Sequence, residues 1–334
     1  MRKPDFDNLL AVLNKEKPKR PTLFEFFMNN PLYERVTGIK LKSNDAMEDM
    51  IRRIKAFEKI GYDYTTVHCS FAFPQAKQSH ADTISLNEGI MISDRKSFEE
   101  YPWPDVDEHD YSMLEKLAPH VPDGMKLIIC GPGGVLENVI KLIGYDNLCF
   151  LSVDDPELLK DICDAVGIRL TRHYELSVQY DTIGAAISND DWGFKTQTMV
   201  SPDDMRHYII PWHCKISEAI HNVGKPAILH SCGNLENVMD DIIDVIGYQG
   251  KHSYEDNICP VEEAYEKWGS RIAVLGGIDL DFICRNNPKT VYERSKKVLQ
   301  LAAEKGSYAL GSGNSIPEYV PYDNYMAMIS AATE

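Results

Sequence analysis

Ala227–Val238 reads AILHSCGNLENV. The apolar run Ala227-Ile228-Leu229 ends at His230, and Ser231, Cys232, Gly233 and Asn234 come next. Beyond Asn234, apolar residues return at helical spacing: Leu235, Val238, Ile242, Ile243 and Ile246. The run has strand length, the glycine and asparagine have turn chemistry, and the spacing after them predicts an amphipathic helix. The same strand–turn–helix unit recurs along the chain. Strands are predicted at PTLFEFF (21–27), YDYTTVH (62–68), KLIIC (126–130), TIGAAI (182–187), AILH (227–230), YQGKH (248–252), IAVLGGI (272–278) and SYALGS (307–312). Strand–helix alternation favours a parallel sheet of the α/β class, and eight units favour closure into a (β/α)8 TIM barrel. Asp155-Pro156, Ser201-Pro202 and Asn287-Pro288 each place a capping side chain before a proline at the first helical position.

The chain has 334 residues, 43% hydrophobic and 26% charged. This suits one domain over 1–334 with a large core. An N-terminal helical extension is expected over 1–20. An excursion is expected over 70–124, placed to cover one mouth of the barrel. The net charge of −16 argues against nucleic acid or an anionic membrane as partner. No apolar run approaches the ~18 residues of a membrane span. The N-terminus has no secretory pattern, so a cytoplasmic protein is expected. The eight cysteines are scattered, and read as reduced thiols.

A barrel presents its chemistry at the C-terminal ends of its strands. The predicted ends carry Glu25, His68 with Cys69, Cys130, Asn189-Asp190-Asp191, His230 with Cys232, His252, Asp279 and Ser312. His230 and Cys232 stand at i and i+2, so on a continuing strand both point into the mouth. An imidazole and a thiolate suit zinc. The alternative is a histidine bonded to a neighbour and a cysteine packed under the next helix. Asp190-Asp191-Trp192-Gly193 offers two carboxylates for acid–base work or for holding a polar substrate, or simply a solvated turn. Glu255 and Asp256 repeat that choice. Gly311–Pro317 (GSGNSIP) either presents backbone N–H groups to an anion or turns the chain.

HSCGN (230–234), DDWG (190–193), LGGID (275–279) and ALGSGNSIPEYVPYDNY (309–325) resemble the uroporphyrinogen decarboxylase superfamily, from about Pro21 to the C-terminus. The resemblance implies a single (β/α)8 barrel and is nearest to the corrinoid-dependent, or cobalamin-dependent, methyltransferase branch. It implies a zinc-dependent methyltransferase moving a methyl group between a small substrate (an aryl ether, a methanol-type donor or a thiol) and a separate corrinoid protein, its partner. His230 and Cys232 are the implied zinc ligands. Relatives often supply a third from the loop after the eighth strand as cysteine. Ser312 stands there instead, and Glu25 is the expected substitute. Asp190, Asp191 and Asp279 are the expected catalytic residues. His68, Trp192, His252, Glu255 and Asn314 are the expected substrate-binding residues.

Two other functions accompany this reading. One is a uroporphyrinogen decarboxylase-like lyase of porphyrin biosynthesis. It is disfavoured because FFMNNPLYERVTG (26–38) holds only Arg35 to meet a polycarboxylate. The other is a non-catalytic corrinoid- or tetrapyrrole-binding barrel.

Overall fold

The computed structural model describes residues 2–41, 44–75 and 86–334. All eight predicted strands form: β1 (Thr22–Leu23), β2 (Tyr64–His68), β3 (Lys126–Cys130), β4 (Ile183–Asn189), β5 (Ala227–His230), β6 (Gly250–His252), β7 (Ala273–Leu275) and β8 (Tyr308–Leu310). They make one curled parallel sheet in the order β1-β8-β7-β6-β5-β4-β3-β2, with helices outside it, the (β/α)8 architecture. Ile128, Ile129, Ile187, Ile228, Leu229 and Val274 are all fully buried. Strands covered on both faces read as continuous apolar runs, which explains their short, non-alternating signatures.

β1 and β2 are the two ends of the hydrogen-bonded order. Side chains of β2 bridge them. The Tyr64 hydroxyl accepts from the Glu25 N–H and donates to the Glu25 carbonyl, both at 2.6 Å. The Thr66 hydroxyl donates to the Phe26 carbonyl at 2.6 Å. Buried backbone groups that lack a strand partner are thereby satisfied.

The expected N-terminal extension contains the helix Asp7–Leu13. Leu9, Val12 and Leu13 are fully buried. Phe6 and Leu13 lie so close to Gly184 of β4 and Gly250 of β6 that a Cβ at either glycine would collide with them. The segment therefore plugs the end of the barrel opposite the strand C-termini.

The three proline caps form as expected. Asp155, Ser201 and Asn287 accept from the N–H groups of Leu158, Asp204 and Thr290. The helix expected after Asn234 is different. It is a 3-10 turn, Glu236–Val238, followed by a π turn, Asp241–Ile246. Asn234 takes the Glu236 N–H with its own side chain and donates its N–H to Phe194. Its tie to the β4 loop holds the start of this segment out of regular α geometry. Val238, Ile242 and Ile246 are still buried, so the apolar pattern is preserved.

The described part of the 70–124 excursion is anchored on the helix Pro156–Ser177. Tyr111 bonds His173, Arg172 bonds Asp107, and Arg169 lies over the Trp103 ring. Residues 76–85, part of the expected cover, lie outside the described residues. All eight cysteines are unpaired. No described helix is long and apolar enough to cross a membrane.

The Tyr64→Phe substitution removes the hydroxyl that serves two buried groups of Glu25. It is expected to cost about 1–3 kcal/mol in denaturant unfolding, whereas an exposed control such as Tyr319→Phe changes nothing measurable.

Candidate metal centre at the strand C-termini

Two loops build the site. The Asp190 N–H, just after β4, bonds the His230 carbonyl of β5 at 2.9 Å, continuing the sheet for one step. The Trp192 N–H then bonds the Ser231 hydroxyl at 3.1 Å. Beyond it the backbones of Gly193 and Gly233 touch. Gly233 has φ +85°, and a Cβ on it would run into the Gly193 carbonyl. Only glycine fits this approach without strain. Asp191 is thereby laid against Cys232, whose N–H donates to Asp191 Oδ1 at 2.8 Å.

Asp191, His230 and Cys232 form a three-residue group whose ligand atoms lie within 4.8 Å of one another. His230 Nε2 and Cys232 Sγ are 3.9 Å apart. His230 is buried, its ring stacked on Phe26 with centroids 4.4 Å apart. Asp191 and Cys232 are partly exposed and leave the group open to solvent. The Asn314 amide donates to Cys232 Sγ at 3.2 Å, and the Ser253 hydroxyl lies 3.8 Å from it. Burial lowers the His230 pKa to about 3, so the ring is neutral and able to ligate. Burial and the Asp191 carboxylate push the Cys232 thiol upward.

Glu25, the expected third ligand, stands outside this group. Its neighbours Phe24 and Phe26 pack on His252 and His230. A residue between two inward side chains points the other way. The Glu25 carboxylate instead meets Ser312, whose hydroxyl and N–H donate to it at 2.7 and 3.2 Å. Burial raises its pKa to about 8.

The two adjacent aspartates have separate surroundings. Asp190 is fully buried. It accepts from the N–H groups of Leu136 and Glu137 at 3.0 and 2.9 Å, and lies 2.9 Å from His213 Nε2. It thereby ties the first turn of the helix Val135–Ile143 to the β4 loop and has no solvent face. Asp279 accepts from the N–H groups of Phe282 and Asp256 and caps the helix Leu280–Arg285. Trp192 is wholly buried with its ring edge-on to His213. His68 ends β2 exposed, near Phe26. His252 lies inside the barrel, 2.7 Å from His230 between Nδ1 atoms. Burial and the Asp279 carboxylate raise the pKa of half-buried Glu255.

Lys251 escaped the sequence reading, although a lysine inside a predicted barrel strand is a signal. Its Nζ is buried, donates to the Ser231 and Ser253 carbonyls, and lies 4.2 Å from the Tyr254 ring centroid. None of the ion pairs among the described residues includes it. Burial lowers its pKa to about 8. A small pocket lined by Gly233, Asn234, Lys251, Ser253, Tyr254 and Glu255 adjoins Cys232. A separate cavity of about 430 Å³, lined by Leu136, Leu148, Met199 and Tyr208, includes none of the expected site residues.

Residues 108–334 match the family model described as uroporphyrinogen decarboxylase (URO-D). The chain belongs to the URO-D family. Among solved structures it is similar to a methyltransferase from Methanosarcina mazei, with TM-score 0.74 and 17% identity over 98% of this chain and 97% of that one. It is also similar to a candidate vitamin-B12 independent methionine synthase from Listeria monocytogenes, with TM-score 0.53 and 11% identity over 94% and 98% of the two chains. At these identities the likeness is one of fold. Comparison with curated proteins finds no match.

This geometry has two measurable consequences. Gly233→Ala is expected to lose about 1–3 kcal/mol of stability and to displace Cys232 from Asp191, read by thermal melting and by the reactivity of the Cys232 thiol. Glu25 gives a pH signature. From 4.5 up to about 8 the folded chain holds a proton that the unfolded chain has released. Stability therefore falls as pH rises through that window, by at most about 1.4 kcal/mol per pH unit from this group. Glu25→Gln is expected to flatten that part of the stability–pH curve.

Proposed function

We propose that this URO-D-family chain is a zinc-dependent methyltransferase. It would exchange a methyl group between a small substrate (an aryl ether, a methanol-type donor or a thiol) and a corrinoid carried by a separate partner protein. The observation that carries this reading is the convergence of Asp191, His230 and Cys232 at the strand C-termini. Nitrogen, sulfur and oxygen donors fit zinc, and three protein ligands with an open side match a catalytic rather than a structural site. When bound, zinc supplies Lewis acidity toward a thiol or an oxygen of the substrate.

The chain's own residues do the rest. The loop carrying Asp191 holds the Cys232 backbone through the bond to Asp191 Oδ1. Asn314 places an amide N–H on the Cys232 sulfur and stabilises negative charge there. Buried Lys251 lies on the same side, and its ammonium form would favour the Cys232 thiolate. Phe26 packs one face of His230 and limits water there. The exposed side, with Asp191 and His68, is where a partner's corrinoid would be presented.

The lyase reading is supported less well. Arg35 lies on the Tyr322 ring, 3.5 Å from its centroid, and Asp191 and Glu255 would oppose a polycarboxylate. Rapid conversion of uroporphyrinogen to coproporphyrinogen by the purified protein would reverse the ranking.

Metal analysis is the first test. The protein is expected to hold about one equivalent of zinc, lost in Cys232→Ser and Asp191→Asn and kept in Glu25→Gln. Apparent affinity is expected to fall as pH falls, because the Cys232 thiol must lose its proton to ligate. An unmetallated wild-type protein that takes up no added zinc would remove the zinc mechanism. Activity is then measured as transfer between methylcob(III)alamin, or cob(I)alamin, and candidate thiols, methanol or aryl methyl ethers.

A further inference from the structure

His230 Nδ1 and His252 Nδ1 are 2.7 Å apart, so one donates and the other accepts. The far side of His252 decides the direction. Its Nε2 faces the Ser312 carbonyl at 3.2 Å, and a carbonyl only accepts. His252 Nε2 therefore carries a hydrogen. The ring is wholly buried, and among the described residues its hydrogen bonds run to His230 and the Ser312 carbonyl and to no carboxylate, so it takes no second hydrogen. His252 Nδ1 is then the acceptor, and His230 Nδ1 is the donor. Nε2 of His230 is left bare, facing Cys232 Sγ.

We propose that His252 is a positioning residue: with the Ser312 carbonyl behind it, it locks His230 in the tautomer whose Nε2 lone pair points into the Asp191–Cys232 group. Ser312 is itself tied down. Its hydroxyl and N–H bond the Glu25 carboxylate, which gives that buried acid a role outside the ligand set. Gly276 keeps the space open, since a Cβ there would press on the His252 imidazole at 2.8 Å. Ser312 thus supports the centre through its carbonyl without ligating. A ligand histidine whose second nitrogen donates to a fixed acceptor is held in both rotamer and tautomer, which sharpens its affinity for a metal.

The inference deepens the zinc reading but is tested first without metal. In metal-free protein with ¹⁵N-labelled histidine, the His230 ring nitrogens report their protonation directly. The expected result is a protonated Nδ1 and an unprotonated Nε2. His252→Phe, which keeps the ring and removes both nitrogens, is expected to abolish that preference and to weaken zinc binding by about 10–100-fold in chelator competition. His252→Asn, which retains an acceptor near the Nδ1 position, is expected to recover most of both. A wild-type His230 protonated at Nε2 would overturn the proposal. So would a folded His252→Phe protein with unchanged tautomer and zinc affinity. If His252→Phe fails to fold, the wild-type spectrum and His252→Asn decide. The expected tautomer in a wild-type protein that binds no zinc would sink the zinc reading and leave the positioning role standing.

Discussion

The backbone contact between Gly193 and Gly233 is the constraint on which the site depends. Neither loop can carry a Cβ at that point, and the contact brings the segment after β4 against the segment after β5. Through it Asp191 reaches the Cys232 N–H, and the Asn234 N–H reaches the Phe194 carbonyl. The same tie distorts the segment leading out of the site. The chain leaves Asn234 through a 3-10 and then a π turn rather than a regular helix. A local steric requirement therefore decides both which side chains meet at the candidate centre and the shape of its flank.

Burial sorts chemically similar residues into different roles. Asp190 and Asp191 are neighbours, yet one is a sealed helix cap paired with His213 and the other faces solvent beside a thiol. His230 and His252 lie on adjacent strands in direct register, and only His230 meets the thiol and carboxylate. Two buried ionisable groups, Glu25 and Lys251, are both pushed toward their neutral forms. Each is held by oriented hydrogen bonds rather than by an opposite charge, as deep burial of a titratable group demands.

The barrel was legible because most strands are short apolar runs with turn chemistry after them, and all eight predicted runs are strands. The proline caps were equally legible, since Asp155, Ser201 and Asn287 satisfy N–H groups only three residues away. Two of the three members of the candidate centre were legible too, because the i, i+2 relation of His230 and Cys232 is local. The third member was not. Glu25 has a suitable carboxylate at a strand end, but the inward rings of Phe24 and Phe26 turn it toward Ser312.

By itself, then, the sequence determined a URO-D-like barrel with a histidine and a cysteine side by side at its working end. Periodicity, capping and same-side spacing are properties of a few neighbouring residues, and they survive without knowledge of the rest. Only the tertiary structure decided that Asp191 joins them, that Asp190 is walled in, and that Ser312 acts through its carbonyl on His252. Those outcomes depend on which backbones touch across strands far apart in the chain. They also depend on which carboxylates the barrel leaves in contact with water.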